Sequence, residues 1–389
     1  MSFDFDTPIP REGTDTSKYG ARQAIFGTED VIPLWVADMD FAAPGYVTAA
    51  VKARAEHPIY GYTEYPPRLA DSLIAWLRGR HGWVVEREWI VYTPGVVTGL
   101  FAAATAYAQA GEGVIVQSPV YHPFFSAVTV TGRKLLLNPL IRVGERYRFD
   151  LESLEQLAAQ GARVLFLCSP HNPVGRVWTR DELSEVLAIA RRYGLTVLSD
   201  EIWADLVYPG HKHTPLGLLA GENDAVITAV APSKTFNIPG LGLSAFIVPD
   251  AGRRAAFVHT LESLHVEARN PFGIAAFEAA YSGGTDWLDA LLAYLAGNRD
   301  FVVDYLARHV PAIKVVPPEG TYLLWLDCRE LGMNDASLKR FFIEQARVGL
   351  SPGVLFGAAG SGYMRLNIGA PRATIAEALE RIARALHGR

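Results

Sequence analysis

Cysteine is scarce in this chain of 389 residues, which contains only Cys168 and Cys328. Each ends an apolar run, VLFLC and YLLWLDC, of the kind that forms a buried strand. The two residues therefore indicate buried, reduced thiols and give little support to a disulfide or a cysteine metal site.

An excess of positive charge is also missing, since the formal net charge at pH 7 is −5 and no long basic run occurs. This balance gives little support for nucleic acid or an anionic membrane as a partner. No apolar run approaches the length of a membrane span, and the start MSFDFDTPIPREG lacks the basic and apolar regions of a signal peptide. Together with the reduced thiols, these absences predict a cytoplasmic protein.

Short apolar runs are frequent between about residues 88 and 250. Seven of them are typical of strands: WIVYT, GVIVQSP, KLLLNPL, RVLFLCSP, LTVLSDE, AVITAV and LSAFIV. Helical segments separate several of these runs, and one begins with Thr179 and Glu182 in a capping-box pattern and stops at Gly194. This alternation predicts an α/β fold with a seven-stranded, mostly parallel sheet flanked by helices.

The length of the chain predicts two domains, because one hydrophobic core seldom serves so many residues. We expect a large domain over residues 46–285, followed over 286–389 by a linker helix and a small α+β domain. The loop-rich residues 1–45 are expected to pack against the small domain.

Lys234 lies between the apolar run AVITAV and the turn in APSKTFNIPGL. A lysine at the end of a buried strand must reach water, pair with an anion or lose its charge. Taken alone it is most simply a surface lysine in a strand-to-loop turn. The alternative is an amine held for covalent chemistry with a carbonyl group.

Other polar and aromatic residues follow predicted strands, where ligands of open α/β sheets gather. The amides of Gly95, Val96 and Val97 open a helix and are suited to binding an anion. Tyr121 offers a ring for stacking on a planar ligand, although a core or rim tyrosine is the more common case. Asn172 lies in an NP turn, which is unremarkable by itself.

Asp200 ends the apolar run LTVLSD, and a buried carboxylate there would need a cationic or hydrogen-bonding partner. An exposed turn residue or a helix cap is the ordinary alternative. Together with Lys234, a helix terminus and an aromatic ring, this carboxylate completes the set of groups that pyridoxal phosphate needs.

The sequence resembles the fold-type-I pyridoxal-phosphate enzymes in the segments SPHNPVGRVW, LSDEIWADL, APSKTFNIPGL and RLNIG. The segments WVADMDF, TPGVV, PVYHPFF and LSPGVLFG are similar to the MalY/PatB-type cystathionine β-lyases of the class I/II aminotransferase superfamily. The motifs occur in the same order over nearly the whole length. This order makes the surface alternative for Lys234 a minor one.

The resemblance implies that Lys234 carries pyridoxal 5'-phosphate as a Schiff base and later moves the α-proton of an amino-acid substrate. Asp200 would pair with the pyridine nitrogen, Asn172 would bind the ring hydroxyl, and Tyr121 would stack on the ring.

The resemblance also implies that Gly95, Val96 and Ser233 hold the phosphate. Arg365 would take the α-carboxylate of the substrate, a task suited to its planar fork of donors. Tyr62 matches a tyrosine that reaches the phosphate of a neighbouring subunit, which implies a homodimer with shared sites; Tyr60 is the alternative.

Two positions depart from related enzymes. Trp203 stands where many aminotransferases have a tyrosine and many MalY-type lyases a histidine, and an indole can donate but not accept a hydrogen bond. Gly242 stands where many aminotransferases have a phosphate-binding arginine.

The leading hypothesis is therefore a carbon–sulfur β-lyase acting on cystathionine or related cysteine S-conjugates, with an aminotransferase as the first alternative. A regulatory protein that keeps the cofactor site is a third, and turnover of any amino acid would exclude it.

Overall fold

The computed structural model describes residues 3–221 and 224–388. Its strands are β1 Ile32–Pro33, β2 Ile90–Thr93, β3 Gly113–Val116, β4 Lys134–Leu137, β5 Ile141–Val143, β6 Arg146–Arg148, β7 Val164–Cys168, β8 Thr196–Asp200, β9 Val226–Val230, β10 Ser244–Ile247, β11 Lys314–Val316, β12 Leu323–Asp327, β13 Val348–Gly349, β14 Ser351–Pro352 and β15 Tyr363–Asn367.

Helices fill much of the sequence between these strands. They are α1 Ser17–Gly20, α2 Arg22–Phe26, α3 Gly45–Glu56, α4 Pro67–His81, α5 Val96–Tyr107, α6 Pro123–Thr129, α7 Leu151–Ala159, α8 Arg180–Tyr193, α9 Leu216–Leu219, α10 Ala251–Ser263, α11 Pro271–Ser282, α12 Asp286–His309, α13 Asp335–Arg340 and α14 Arg372–His387. Within the described part of the chain, no helix combines the length and apolar character needed to cross a bilayer.

The central sheet has seven strands in the order β2-β10-β9-β8-β7-β3-β4. The pairs from β9 to β4 are parallel, and β10 is antiparallel to both of its neighbours. Strands β7, β8 and β9 are buried along their whole length, as expected for a parallel sheet covered by helices on both faces. The predicted seven-stranded, mostly parallel sheet is confirmed.

Local sequence signals fix the helix ends, and α8 shows how. The Thr179 side chain accepts a hydrogen bond from the amide of Glu182, whose carboxylate returns to the amide of Thr179. At the other end Gly194 adopts a left-handed conformation with φ of 66°. Both ends lie where the capping-box and glycine signals predict them.

A second sheet of four strands has the order β11-β12-β15-β14. The 24-residue helix α12 precedes it and packs against α14. Near the start of the chain, β1 pairs in parallel with β13, which brings the first residues onto this C-terminal part. The segment SLKRFFIEQARV contains the end of α13 and a π-helical turn at Phe341–Gln345.

The connectivity of the large sheet determines where a ligand can bind. Strands β3, β7, β8 and β9 run in the same direction, so their carboxyl ends meet at one edge. The loops that follow these ends line one cavity together with residues of the small sheet, such as Arg365 in β15. Distant motifs are thereby brought to one place.

Candidate active site

One cavity of about 360 Å³ lies at this edge of the large sheet. Every site residue predicted from the sequence except Tyr62 lines it: Gly95, Val96, Val97, Tyr121, Asn172, Asp200, Trp203, Ser233, Lys234 and Arg365. These residues come from the ends of four strands of the large sheet, from the start of α5 and from the small sheet. A ligand in the cavity would meet all of these elements at once.

Lys234 lies in the turn that follows β9, and its side chain projects into the cavity. Its Nζ donates a 2.7 Å hydrogen bond to the carbonyl oxygen of Ala37 and lies 5.6 Å from the centre of the Trp203 ring. Burial lowers the pKa of Lys234 to about 8, and the positive charge of Arg365 adds to this effect. A fraction of the amine is therefore neutral near physiological pH, the form that acts as a nucleophile or base.

Asp200 is the last residue of β8 and is almost fully buried. Its Oδ1 accepts a 3.1 Å hydrogen bond from the amide of Ile202. Burial raises the pKa of Asp200 to about 7, although this hydrogen bond and the charge of Lys234 lower it. A positively charged donor bound in the cavity would stabilise the ionised carboxylate.

Arg365, in β15, is buried on the opposite wall. It donates hydrogen bonds to Asn172 Oδ1 at 3.0 Å, to the Trp35 carbonyl oxygen at 2.8 Å and to Ser351 Oγ at 3.4 Å. Its Nε is buried without a partner in the described chain. Burial lowers the pKa of Arg365 to about 10. A guanidinium held in this way fits an anionic ligand such as a carboxylate.

The start of α5 forms another wall of the cavity. Gly95 is its N-cap and brings no side chain, so the first amides of the helix, at Val96 and Val97, are accessible to an anion. Gly242 also lines this wall with φ of +43°, and an added Cβ would lie 3.1 Å from the carbonyl oxygen of Pro94. An arginine at this position would therefore be strained, which gives the departure noted in the sequence a structural reason.

Two further predicted residues lie near the centre of the cavity. Asn172 uses its Oδ1 to accept from Arg365, leaving its amide hydrogens as the donors that a ligand could use. Tyr121 follows β3 and contacts the edge of His122 at 4.9 Å between ring centres. Burial raises the pKa of Tyr121, so its phenol stays protonated.

Trp203 occupies the position at which related enzymes carry a tyrosine or a histidine. Its indole is 2% exposed and meets the ring of Tyr322 edge to face at 4.9 Å. Tyr322 donates to the same Ala37 carbonyl oxygen that receives Lys234. Here the tryptophan packs beside the lysine.

Tyr62 lies outside the cavity of its own chain, in the extended segment between α3 and α4. Its side chain is fully exposed. Tyr60, by contrast, donates a 3.0 Å hydrogen bond to the carbonyl oxygen of Ala55 and packs against Phe272. Both tyrosines are exposed, and Tyr62 is the more exposed of the two.

Sequence reasoning missed several residues that line the cavity: Trp35, Ala37, His122, Ser351 and Phe356. The motif WVADMDF contains the first two, but it assigns neither of them a contact. The hydrogen bonds to Trp35 and Ala37 use carbonyl oxygens, which every residue type has. The sequence therefore carried no residue-level signal for them.

The charged groups of the cavity fit pyridoxal phosphate together with an amino acid. A lysine amine, a carboxylate and a guanidinium stand on separate walls, at Lys234, Asp200 and Arg365. Among the described residues, neither the Asp200 nor the Arg365 side chain is engaged in an ion pair closer than 4 Å. A cationic ring nitrogen and an α-carboxylate would satisfy them.

Comparison with known proteins identifies the family of the chain. The profile of the family "Aminotransferase class I and II" matches residues 29–382. The chain belongs to this family.

Cystathionine beta-lyase PatB of Bacillus subtilis is 42% identical over 98% of the chain and 99% of its own length. Protein MalY of Escherichia coli is 32% identical over 96% of each protein. The structure of cystalysin from Treponema denticola, which contains a pyridoxal 5'-phosphate cofactor, superposes with a TM-score of 0.97 at 35% identity over all of both chains. The predicted membership of the MalY/PatB group is confirmed.

Proposed function

We propose that the protein is a pyridoxal-phosphate-dependent carbon–sulfur β-lyase that cleaves cystathionine or related cysteine S-conjugates to pyruvate, ammonia and a thiol. The observation that carries the proposal is the set of three buried groups, Lys234, Asp200 and Arg365, around one cavity. The full-length similarity of the chain to a protein named cystathionine beta-lyase favours elimination over other reactions of the family.

Different residues of the chain would bind the substrate carboxylate, the cofactor phosphate and the cofactor ring. The guanidinium of Arg365 binds the α-carboxylate, and Asn172 holds that guanidinium in place through its Oδ1. The first amides of α5, with Ser233, would hold the phosphate, and Tyr121, which lines the same cavity, would stack on the ring.

Two residues act on charge and protons. Bound pyridoxal phosphate supplies an electron sink for the pair left at the α-carbon of the substrate. Asp200 would stabilise positive charge at the ring nitrogen, and Lys234 Nζ would take the α-proton of the substrate. Because thiol pKa values lie near 8.5, far below those of alcohols, the β-sulfur leaves readily as a thiolate.

Product analysis tests the proposal directly. Cystathionine supplied alone should give pyruvate, ammonia and homocysteine without an added keto acid. The measurement follows pyruvate and the cofactor spectrum in the same sample, with the Lys234→Ala variant as a blank.

An aminotransferase is the second candidate, since the family profile takes its name from that reaction. It would make no pyruvate from cystathionine, and the pyridoxamine form of the cofactor would accumulate until a keto acid was added. That result would replace the lyase proposal.

We also propose that the active unit is a cytoplasmic homodimer in which Tyr62 of each subunit serves the site of the other. The exposed Tyr62 side chain, absent from its own cavity, supports this arrangement. We further propose that the domain boundaries lie at residues 45 and 285.

Subunit mixing tests the shared site. Lys234→Ala and Tyr62→Ala, each inactive or strongly impaired alone, should regain activity when mixed, because one site of each heterodimer is intact. Tyr60→Ala mixed with Lys234→Ala is the matched comparison. Complementation by the Tyr60 variant alone would assign the cross-subunit role to Tyr60, and full activity in a demonstrated monomer would rule the shared site out.

A further inference from the structure

A cluster of buried polar side chains lies behind the turn that carries Lys234. At its centre is Asp205, which is 6% exposed and follows β8. Its Oδ1 accepts from His81 Nε2 at 2.9 Å and from Trp76 Nε1 at 3.1 Å, both on α4. Its Oδ2 accepts from Thr235 Oγ1 at 3.0 Å. Asp205 thus connects α4 to the residue that directly follows Lys234.

A second carboxylate–histidine pair continues the cluster. Glu201, 2% exposed, accepts from His213 Nε2 at 2.8 Å and from Ser199 Oγ at 2.9 Å. The rings of His81 and His213 meet edge to face at 5.5 Å. The carboxylate of Asp205 is therefore anchored within a larger buried network, which resists its displacement.

The ionised state of Asp205 is itself maintained by these contacts. Burial alone would raise the pKa of Asp205, but the hydrogen bond and charge of His81, the charge of Arg80 and the Thr235 hydroxyl together hold it below its usual value. The carboxylate therefore offers two acceptor oxygens to three donors, at His81, Trp76 and Thr235.

The turn that carries Lys234, here called the lysine turn, is held on its other sides by different contacts. Asn237, with φ of +55°, exchanges hydrogen bonds with the backbone of Met39 and donates to the carbonyl oxygen of Phe41. Phe236 is fully buried and packs 5.5 Å from the ring of Trp76. Among these contacts, the hydrogen bond of Thr235 to Asp205 is the one nearest in sequence to Lys234.

Asp205 does not act on the amine by charge. The charged groups that face Lys234 Nζ are Arg365, Asp38 and Asp200. The largest cause of the lowered lysine pKa is burial, and burial depends on where the turn holds the side chain.

We propose that Asp205 and Thr235 are a positioning pair: their hydrogen bond holds the lysine turn so that the Lys234 amine stays buried in the cavity. The inference rests on the proposed role of Lys234. In this proposal, a hydrogen bond outside the cavity controls how much water reaches the Lys234 amine.

The test is the titration of Lys234 in the full-length protein after removal of the cofactor. Acetic anhydride acylates the neutral amine, so the rate of acetylation of the Lys234 peptide against pH gives its pKa. Thr235→Val keeps the shape of the side chain and changes no charge. We expect it to raise the Lys234 pKa by at least about 0.5 unit and to lower kcat by about 10-fold in the loaded enzyme, with KM little changed.

Three further variants separate positioning from general stability. Thr235→Ser keeps the hydroxyl and should restore most of the lysine pKa and of kcat. Thr228→Val removes a buried hydroxyl of β9 that has no partner in the described chain and should leave the lysine pKa unchanged. Asp205→Ala removes the acceptor of the Thr235 hydroxyl as well as that of His81 and Trp76, so adding Thr235→Val to it should raise the lysine pKa no further.

An unchanged lysine pKa in Thr235→Val, or an equal rise in Thr228→Val, would overturn the proposal. If Thr235→Val does not fold, Thr235→Ala compared with Thr235→Ser gives the same contrast. The lysine titration is independent of which products the enzyme releases. A failure of the β-lyase proposal therefore leaves this result interpretable, and the reverse also holds.

Discussion

Lys234→Ala is expected to lower turnover by more than about 10³-fold, since the proposed covalent attachment of the cofactor and the proposed base for the α-proton both disappear. The fold should survive, because the amine makes one hydrogen bond, to the Ala37 carbonyl oxygen. Turnover of cystathionine and the visible absorbance of the purified protein measure the two losses separately.

Chemical labelling checks the same assignment in the wild-type protein. Borohydride should fix the chromophore onto the peptide that contains Lys234. Lys212→Ala, which removes an exposed lysine, serves as the control and should keep both colour and activity. A label on any other peptide would end the assignment of Lys234.

Asp200→Asn is expected to lower turnover by about 100-fold or more while cofactor binding persists. The substitution keeps the shape of the side chain but removes the charge that we propose stabilises a protonated ring nitrogen. The control is Asp304→Asn, at a carboxylate whose side chain is 66% exposed. Near-normal turnover in Asp200→Asn would contradict the role.

The same variant should change how stability depends on pH in the cofactor-free protein. Burial raises the pKa of Asp200 from its usual value of 3.8 to about 7. The contribution of this group to stability is therefore fully present below pH 3.8 and is lost as the pH rises through 7. Asparagine does not ionise, so between pH 5 and pH 8 Asp200→Asn should avoid a loss of about 2 kcal/mol that the wild type shows. Urea unfolding at both pH values measures it, and equal pH dependence in the two proteins would argue against a raised pKa.

Apolar runs and helix caps were sufficient to predict the large sheet. The run LTVLSD forms β8, and the signals at Thr179, Glu182 and Gly194 mark the ends of α8. Such features are predictable because they depend on neighbours in sequence, through side-chain alternation and local hydrogen bonds. The division of SLKRFFIEQARV into an α-helix and a π-helical turn had no comparable signal.

Three cavity residues, Lys234, Asp200 and Arg365, could be predicted from the sequence. Each lies in a motif of the related family, and the motifs occur in the same order. The candidate site was not predictable where the structure uses main-chain groups, as at the Trp35 and Ala37 carbonyl oxygens. The link between Asp205 and Thr235 also escaped sequence reasoning, because the two residues are 30 positions apart and neither is unusual alone.

The sequence by itself determined the α/β class, the identity of the groups available for chemistry and the resemblance to the MalY/PatB group. Only the tertiary structure decided which charges in the cavity have no ion-pair partner among the described residues, and how burial shifts the pKa of Lys234 down and that of Asp200 up. The physical reason is that a pKa depends on how much water and which charges surround a group. These surroundings come from segments that are distant in sequence and meet only when the sheet is assembled.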